Sequence, residues 1–284
     1  TSESCAFRPV GARFLREIEP GELVTIDSHG VSSYRFAEPA PRRAHCVFEM
    51  VYFARPDSVI FGHNVHQVRL RYGMRLAAEH PVEADVVVPI PDSGMSAAIG
   101  YARASGIPLD LGFIRNHYIG RTFIMPEAER RATGADRKLS VLPETVAGRR
   151  VVVVDDSIVR GNTARKRVAL LRACGATEVH VRISCPPTRF PCFYGIDFAT
   201  AEELIAAGRE VEEIRAWIGA DSLGYLSEEG LLEPFGAEGA HFCRACMTGS
   251  YPVEVTEPVG RRALESGLVC ERAAGGCAPR EGES

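Results

Sequence analysis

The sequence predicts an α/β protein, a mostly parallel sheet flanked by helices, and three observations predict it. Two short, continuously apolar runs, ADVVVPI (84–90) and VVVV (151–154), have the length and branched composition of strands buried on both faces. Each is followed by a helical pattern that a glycine closes. A strand-like run then resumes within a few residues, the rhythm of right-handed βαβ units.

Taken in order, residues 1–35 are turn-rich, with alternating text around Glu19-Pro20-Gly21. They read as short strands with too little apolar mass for a domain, and are expected to be the trailing edge of something upstream. ADVVVPI is the first sheet strand. SGMSAAIGYARASGIP reads as a helix from about Ser96 to Ser105, stopped by Gly106 and Pro108. LDLGFI (109–114) is a second candidate strand, and RRVVVVDD a third after an irregular, charged stretch. The next helix carries Ala164, Val168 and Leu171 on one face, with Gly175 as its stop. TEVHVRISC (177–185) has alternating strand character, residues 200–218 look helical, and the tail from about 270 looks disordered.

Composition limits the functions available. The chain has 284 residues, 45% hydrophobic and 25% charged, ordinary values for a globular protein with an ample core. A net charge of −4 argues against a general nucleic-acid binder. No run approaches the about 18 apolar residues of a membrane span, and TSESCAFRPVG lacks the marks of a secretory signal. Nine cysteines, an odd number, do not suggest a secreted disulfide scaffold. A cytoplasmic protein with thiols or a metal centre fits better.

The stretch VVVVDDSIVRGNT (151–163) carries the chemistry. Ligands of open α/β sheets gather beyond the carboxyl ends of strands, where Asp155 and Asp156 stand. The turn after them leads into a helix, so backbone N–H groups and the helix dipole make a cradle for phosphate. Gly161 permits close approach, Ser157, Asn162 and Thr163 add short hydrogen bonds, and Arg160 adds charge unless it points to solvent. Two carboxylates would repel a phosphate, so they need sugar hydroxyls or a divalent metal. A phosphorylated ribose satisfies both halves. The plain alternative is an Asp-Asp helix cap with a solvated loop.

This stretch resembles the phosphoribosyl pyrophosphate (PRPP) loop of the type I phosphoribosyltransferases. Together with FEMVYFARPDSVIFG, VVVPIPDSG, IRNHYIGRTFI and PCFYGID, in that order, the chain resembles the amidophosphoribosyltransferase family from about residue 1 to 255. The resemblance implies a type I phosphoribosyltransferase fold over 36–255. Residues 1–35 resemble the end of an Ntn-type glutaminase domain, and 256–284 form a C-terminal segment. Cys5 is not the glutaminase nucleophile, because the family text around that nucleophile is missing. The expectation is a transferase that uses free ammonia but does not hydrolyse glutamine.

The implied reaction displaces pyrophosphate from C1 of PRPP by ammonia, giving 5-phosphoribosylamine with inversion, the first step of purine synthesis. Asp155 and Asp156 would orient the ribose hydroxyls and Mg²⁺, and Ser157, Ile158, Val159, Arg160, Gly161, Asn162 and Thr163 would hold the 5-phosphate. PIPDSG (89–94) resembles the pyrophosphate turn, with Ser93 matching a metal-site hydroxyl and the backbone of Asp92, Ser93 and Gly94 meeting pyrophosphate. Residues 115–140 match a segment that closes over PRPP, with Arg115, Tyr118, Arg121 and Lys138 as contacts. Ala135 departs there from a larger apolar residue. Some members carry a 4Fe–4S cluster whose ligands match Cys46, Cys192, Cys243 and Cys246, although zinc would accept the same thiolates. Cys243 and Cys246 at C-x-x-C spacing also fit a redox pair or buried thiols. Cys174 and Cys185 read as core thiols, and Cys270 and Cys277 are left unassigned. The family implies purine nucleotide inhibitors and a homo-oligomer. A PRPP-sensing module without catalysis, or a transferase acting on free bases, are the rival readings.

Overall fold

The computed structural model describes residues 1–116, 139–196 and 200–254. Its first strands, β1 (Glu22–Asp27) and β2 (Gly30–Arg35), form an antiparallel hairpin in which Asp27 pairs with Gly30 at the turn. Leu23, Ile26, Val31 and Tyr34 of this hairpin are exposed, so it contributes little to the core. The two-residue strand β3 (His45–Cys46) leads into a π-helical turn, Glu49–Phe53, and the short antiparallel pair β4 (Val59–Ile60) and β5 (His63–Asn64) follows. Buried Arg69 ties that turn down by donating to the carbonyls of Met50 and Ala54, each at 2.8 Å.

Asn64 caps α1 (Val65–Glu79), accepting from the Gln67 N–H at 3.0 Å, and Val65, Val68, Tyr72 and Leu76 make its buried face. After β6 (Val86–Pro89), α2 (Met95–Ser105) lies tightly on α1. A Cβ at Gly73 would strike the Ala97 carbonyl and one at Gly100 the Leu70 carbonyl, so glycine on both helices permits the approach. The chain continues through β7 (Phe113–Arg115), β8 (Leu139–Val141), α3 (Pro143–Val146), β9 (Arg150–Asp155), α4 (Asn162–Ala173) and β10 (Glu178–Ile183). It then forms α5 (Val211–Ile218), β11 (Ser222–Tyr225), α6 (Glu228–Leu232), β12 (Phe242–Cys243) and α7 (Ala245–Thr248).

The central sheet has the order β11-β10-β9-β6 and all three pairings are parallel, as the sequence predicts. Val151 to Val154 are buried, which is why that run reads as continuously apolar. Parallel pairing places the carboxyl ends of all four strands along one edge.

Three expectations are corrected. LDLGFI is not a strand of the central sheet: Leu109 alone bridges Val87, and Phe113–Arg115 instead pairs antiparallel with β8 in a separate two-stranded sheet. Residues 178–183 do not alternate in burial, because β10 lies inside the sheet and its polar His180 and Arg182 are bonded internally. Helix does not fill 200–218. A 3-10 turn (Ala201–Glu203) and buried Leu204, Ile205 and Ala206 come first, and helix begins where Glu210 and Glu213 form a capping box. The expected tail beyond 254 lies outside the described residues.

Candidate active site

At the carboxyl edge, β6 runs into the turn Ile90–Gly94 before α2, and β9 runs into the loop 156–161 before α4. The Ile90 N–H donates to the Val154 carbonyl at 2.9 Å, which lays one turn beside the other. Gly94 sits against that same carbonyl, and a Cβ there would strike it. The Ser93 hydroxyl reaches Asp155 Oδ1 at 3.3 Å, and Arg115 pairs with Asp92 at 2.6 Å. The structure therefore brings together Asp92, Ser93, Gly94, Arg115, Asp155 and Asp156, which lie 60 residues and more apart between the two turns in the chain. Tyr118, Arg121, Lys138 and Ala135 lie outside the described residues.

Both aspartates are buried. Asp155 Oδ1 accepts from the Asp156 N–H at 3.0 Å, and Asp156 Oδ2 accepts from the Ser157 hydroxyl at 2.6 Å. Burial, and then the neighbouring Asp156, push the Asp155 carboxyl well above the usual carboxylate range, while Arg167 pulls it down. Arg167 donates through Nη1 to Asp155 Oδ2, and its Nε is buried without a partner. Sequence reasoning missed Arg167. The available signal is its place three residues after Ala164 and four before Leu171, on the inward stripe of α4, where a cation needs an acid.

The loop is shaped by Gly161, whose φ of 79° is left-handed, and α4 starts without a side-chain cap, so its first N–H groups face the loop. Ile158 is buried beneath, while Asn162 and Thr163 are exposed. Val159 offers its carbonyl to the Ile205 N–H at 2.9 Å. Arg160 turns outward, as one of its two expected directions, and pairs with Glu203 at 2.5 Å.

The four cysteines converge elsewhere. β3 and β12 pair in parallel with Cys46 opposite Cys243, and Cys246 follows in α7. The Cys246 carbonyl accepts from the N–H groups of Arg189 (2.9 Å) and Phe190 (3.0 Å), which brings in the segment bearing Cys192. All four are free thiols. Burial pushes Cys46 up to about 11 and Cys246 up to about 12, and the charges of Cys46, Cys192 and Cys243 all act on Cys246. Among the described residues no three His, Cys, Asp or Glu groups are arranged to hold a metal ion. Cys174 is half-buried and Cys185 buried, as expected of core thiols, Cys5 lies near Glu3, and Cys270 and Cys277 lie outside the described residues. A cavity of about 890 Å³ lies near neither acid, between the N-terminal segment and His45, Phe61, His241 and Phe242.

Residues 67–188 match the phosphoribosyl transferase domain family. The chain is 52% identical over 258 residues to the amidophosphoribosyltransferase of Methanothermobacter thermautotrophicus, covering 91% of this chain and 54% of that protein. It is 55% identical over 258 residues to that of Bacillus subtilis, covering 89% and 54%. The solved glutamine PRPP amidotransferase of B. subtilis, complexed with ADP and GMP, superposes with a TM-score of 0.82 at 54% identity over 90% of this chain and 57% of that one. The chain thus spans about half the length of the curated relatives it matches. Across that span, in sequence and in fold alike, it is similar to the amidophosphoribosyltransferases.

Proposed function

We propose that this chain binds PRPP at the carboxyl edge of its sheet and transfers ammonia to C1, giving 5-phosphoribosylamine and pyrophosphate, with glutamine as the nitrogen source of the whole family enzyme. One observation carries the reading: two buried aspartates share a strand end with an uncapped helix start and an adjoining Ser-Gly turn. Acids suit ribose hydroxyls, and N–H groups suit the 5-phosphate.

In this reading the loop 157–163 grips the phosphate and Asp155 and Asp156 hold the ribose hydroxyls, which removes much of the entropic barrier to attack. The nitrogen lone pair forms the bond to C1 as the C1–oxygen bond breaks, and pyrophosphate leaves with that bond's electron pair. The turn receives it through the Asp92 and Ser93 N–H groups, that of Gly94 being given to the Ile90 carbonyl at 2.9 Å, with Arg115 released from Asp92 as the nearby cation. Tyr118, Arg121 and Lys138 are proposed contacts of the same anion.

The donor set fits a divalent cation, because two buried carboxylates and the Ser93 hydroxyl, 3.3 Å from Asp155, are hard oxygen donors. Mg²⁺ held by Ser93, Asp155 and Asp156 would neutralise pyrophosphate oxygens as a Lewis acid. Cys46, Cys192, Cys243 and Cys246, brought near one another by the β3–β12 pairing and the contacts to the Cys246 carbonyl, are proposed as ligands of a 4Fe–4S cluster, and zinc would accept the same four thiolates. Such a cluster would be structural, joining the last described segment to the core. We assign residues 1–35 to the glutaminase side, 36–255 to the transferase and 256–284 to a C-terminal segment. No helix among the described residues is long and apolar enough to cross a membrane. We place the enzyme in the cytoplasm as a homo-oligomer, with purine nucleotides as inhibitors and no nucleic-acid partner.

The test is pyrophosphate release from PRPP and Mg²⁺, with ammonia, glutamine or free purine bases supplied in turn to anaerobically purified protein. Release with ammonia supports the proposal. Release with bases but not ammonia, or binding of PRPP without release, replaces it with one of the rivals.

A further inference from the structure

We infer that Trp217 is a positioning residue for the loop 157–163, holding it in the conformation that receives a phosphate. The inference rests on the reading of that loop as the 5-phosphate site and adds to it the part that fixes its shape.

A loop of convergent N–H groups binds an anion well only if the groups point inward before the anion arrives. Here the left-handed Gly161 and the uncapped start of α4 supply no such restraint, so it must come from outside the loop. It comes from residues 203–217. Glu203 holds the Arg160 guanidinium, and the Ile205 N–H donates to the Val159 carbonyl at 2.9 Å. The Trp217 indole and the Ile205 side chain lie directly beneath Gly161: a Cβ there would come within 2.8 Å of the ring and 2.6 Å of Ile205 Cδ1. Gly161 is thus bounded on its Cβ side by Trp217 and Ile205.

The ring itself is held from both ends. Its helix, α5, is anchored by buried Ile214 and Ile218 on either side of Trp217. The guanidinium of Arg165, from the first turn of α4, stands 5.2 Å from the ring centroid, and that of Arg209 stands 5.9 Å away. One aromatic side chain of α5 therefore stands against the loop glycine and against Arg165 of α4. Trp217 is also the single tryptophan of the chain, so its emission reports on this place alone.

Calorimetric titration of the full chain and of its Trp217→Ala and Trp217→Phe variants separates a positioning role from general packing. The probes, with Mg²⁺, are PRPP, ribose 5-phosphate (which needs the loop) and inorganic pyrophosphate (which needs the 92–94 turn). Trp217→Ala is expected to weaken PRPP and ribose 5-phosphate about tenfold, to leave pyrophosphate within about twofold, and to be largely rescued in Trp217→Phe. Wild-type emission should shift on adding ribose 5-phosphate. The inference is overturned if Trp217→Ala binds ribose 5-phosphate as wild type does, or if all three ligands weaken together with the fold. If wild type takes up pyrophosphate but no phosphorylated ribose, the reading of the loop itself fails, and the role of Trp217 with it.

Discussion

Two buried polar clusters share one sheet and are built differently. At the carboxyl edge, Asp155 and Asp156 stand side by side, Arg167 pairs with Asp155 while its Nε has no partner, and Arg69 reaches Asp156 only through its charge. Midway along β10, His180 and Arg182 are just as buried, yet their partners come from the protein. Arg182 donates to the His80 carbonyl at 3.0 Å and to the Ser222 hydroxyl at 2.9 Å, and His180 bonds to Ser222 and Glu178 at 3.0 Å each. Tyr101 donates to that same His80 carbonyl at 3.1 Å. A buried cluster that satisfies itself serves the fold. One left short of charge is waiting for something, since an unmatched buried charge costs more than any gain in native packing.

The largest effect expected of this contrast is at the acids. Asp155→Asn keeps the shape and removes one charge, so ammonia-dependent turnover should fall about a thousandfold. Its thermal midpoint should fall far less than turnover does, because relief of the Asp155–Asp156 repulsion offsets part of the lost pairing with Arg167. A variant that keeps a tenth or more of wild-type turnover, to order of magnitude, would remove Asp155 from the reaction. Arg182→Met should do the reverse. It removes the charged donor that the His80 carbonyl shares with Tyr101 and one partner of the Ser222 hydroxyl, and denaturant titration should register a loss of about 2–3 kcal/mol. Turnover per folded molecule should stay close to wild type. If turnover collapsed while stability held, the two clusters would have been distinguished wrongly.

The contrast also decides what was legible in the sequence. The strand and loop 151–163 could be read because the burial of each valine and the placement of the acids follow from a local pattern, four apolar residues and then a turn. Arg167 was missed because its meaning depends on a residue twelve positions earlier that only the strand-to-helix fold brings near. Trp217 was missed for a stronger reason. It lies in another βα unit, and within residues 211–218 it reads simply as a large residue on an amphipathic helix. The cysteines were legible as a set through family resemblance. Their convergence rests on two-residue strands and carbonyl contacts that have no signature in the text. The 200–210 stretch was misread as helix because its apolar Leu204, Ile205 and Ala206 are buried without helical spacing, Ile205 against the loop 156–161 rather than along one stripe.

The smallest expected effect sharpens the saturated side of the comparison. Burial lowers the His180 affinity for a proton, an effect that Glu178 opposes but does not cancel. A histidine whose folded pKa is depressed lends stability that is present above its unfolded pKa of about 6.5 and is lost as pH falls through the lower folded value. Chemical denaturation from pH 7.5 down to 5.5 should therefore show a decline of no more than about 1 kcal/mol assignable to this group, and His180→Gln should flatten it. Turnover measured at pH 7.5 should be the same in both proteins. A pH slope identical in wild type and His180→Gln would mean that Ser222 and Glu178 hold the ring equally well in either charge state. The β10 cluster would then be satisfied beyond what its hydrogen bonds indicate, and the two clusters would differ by more than those bonds.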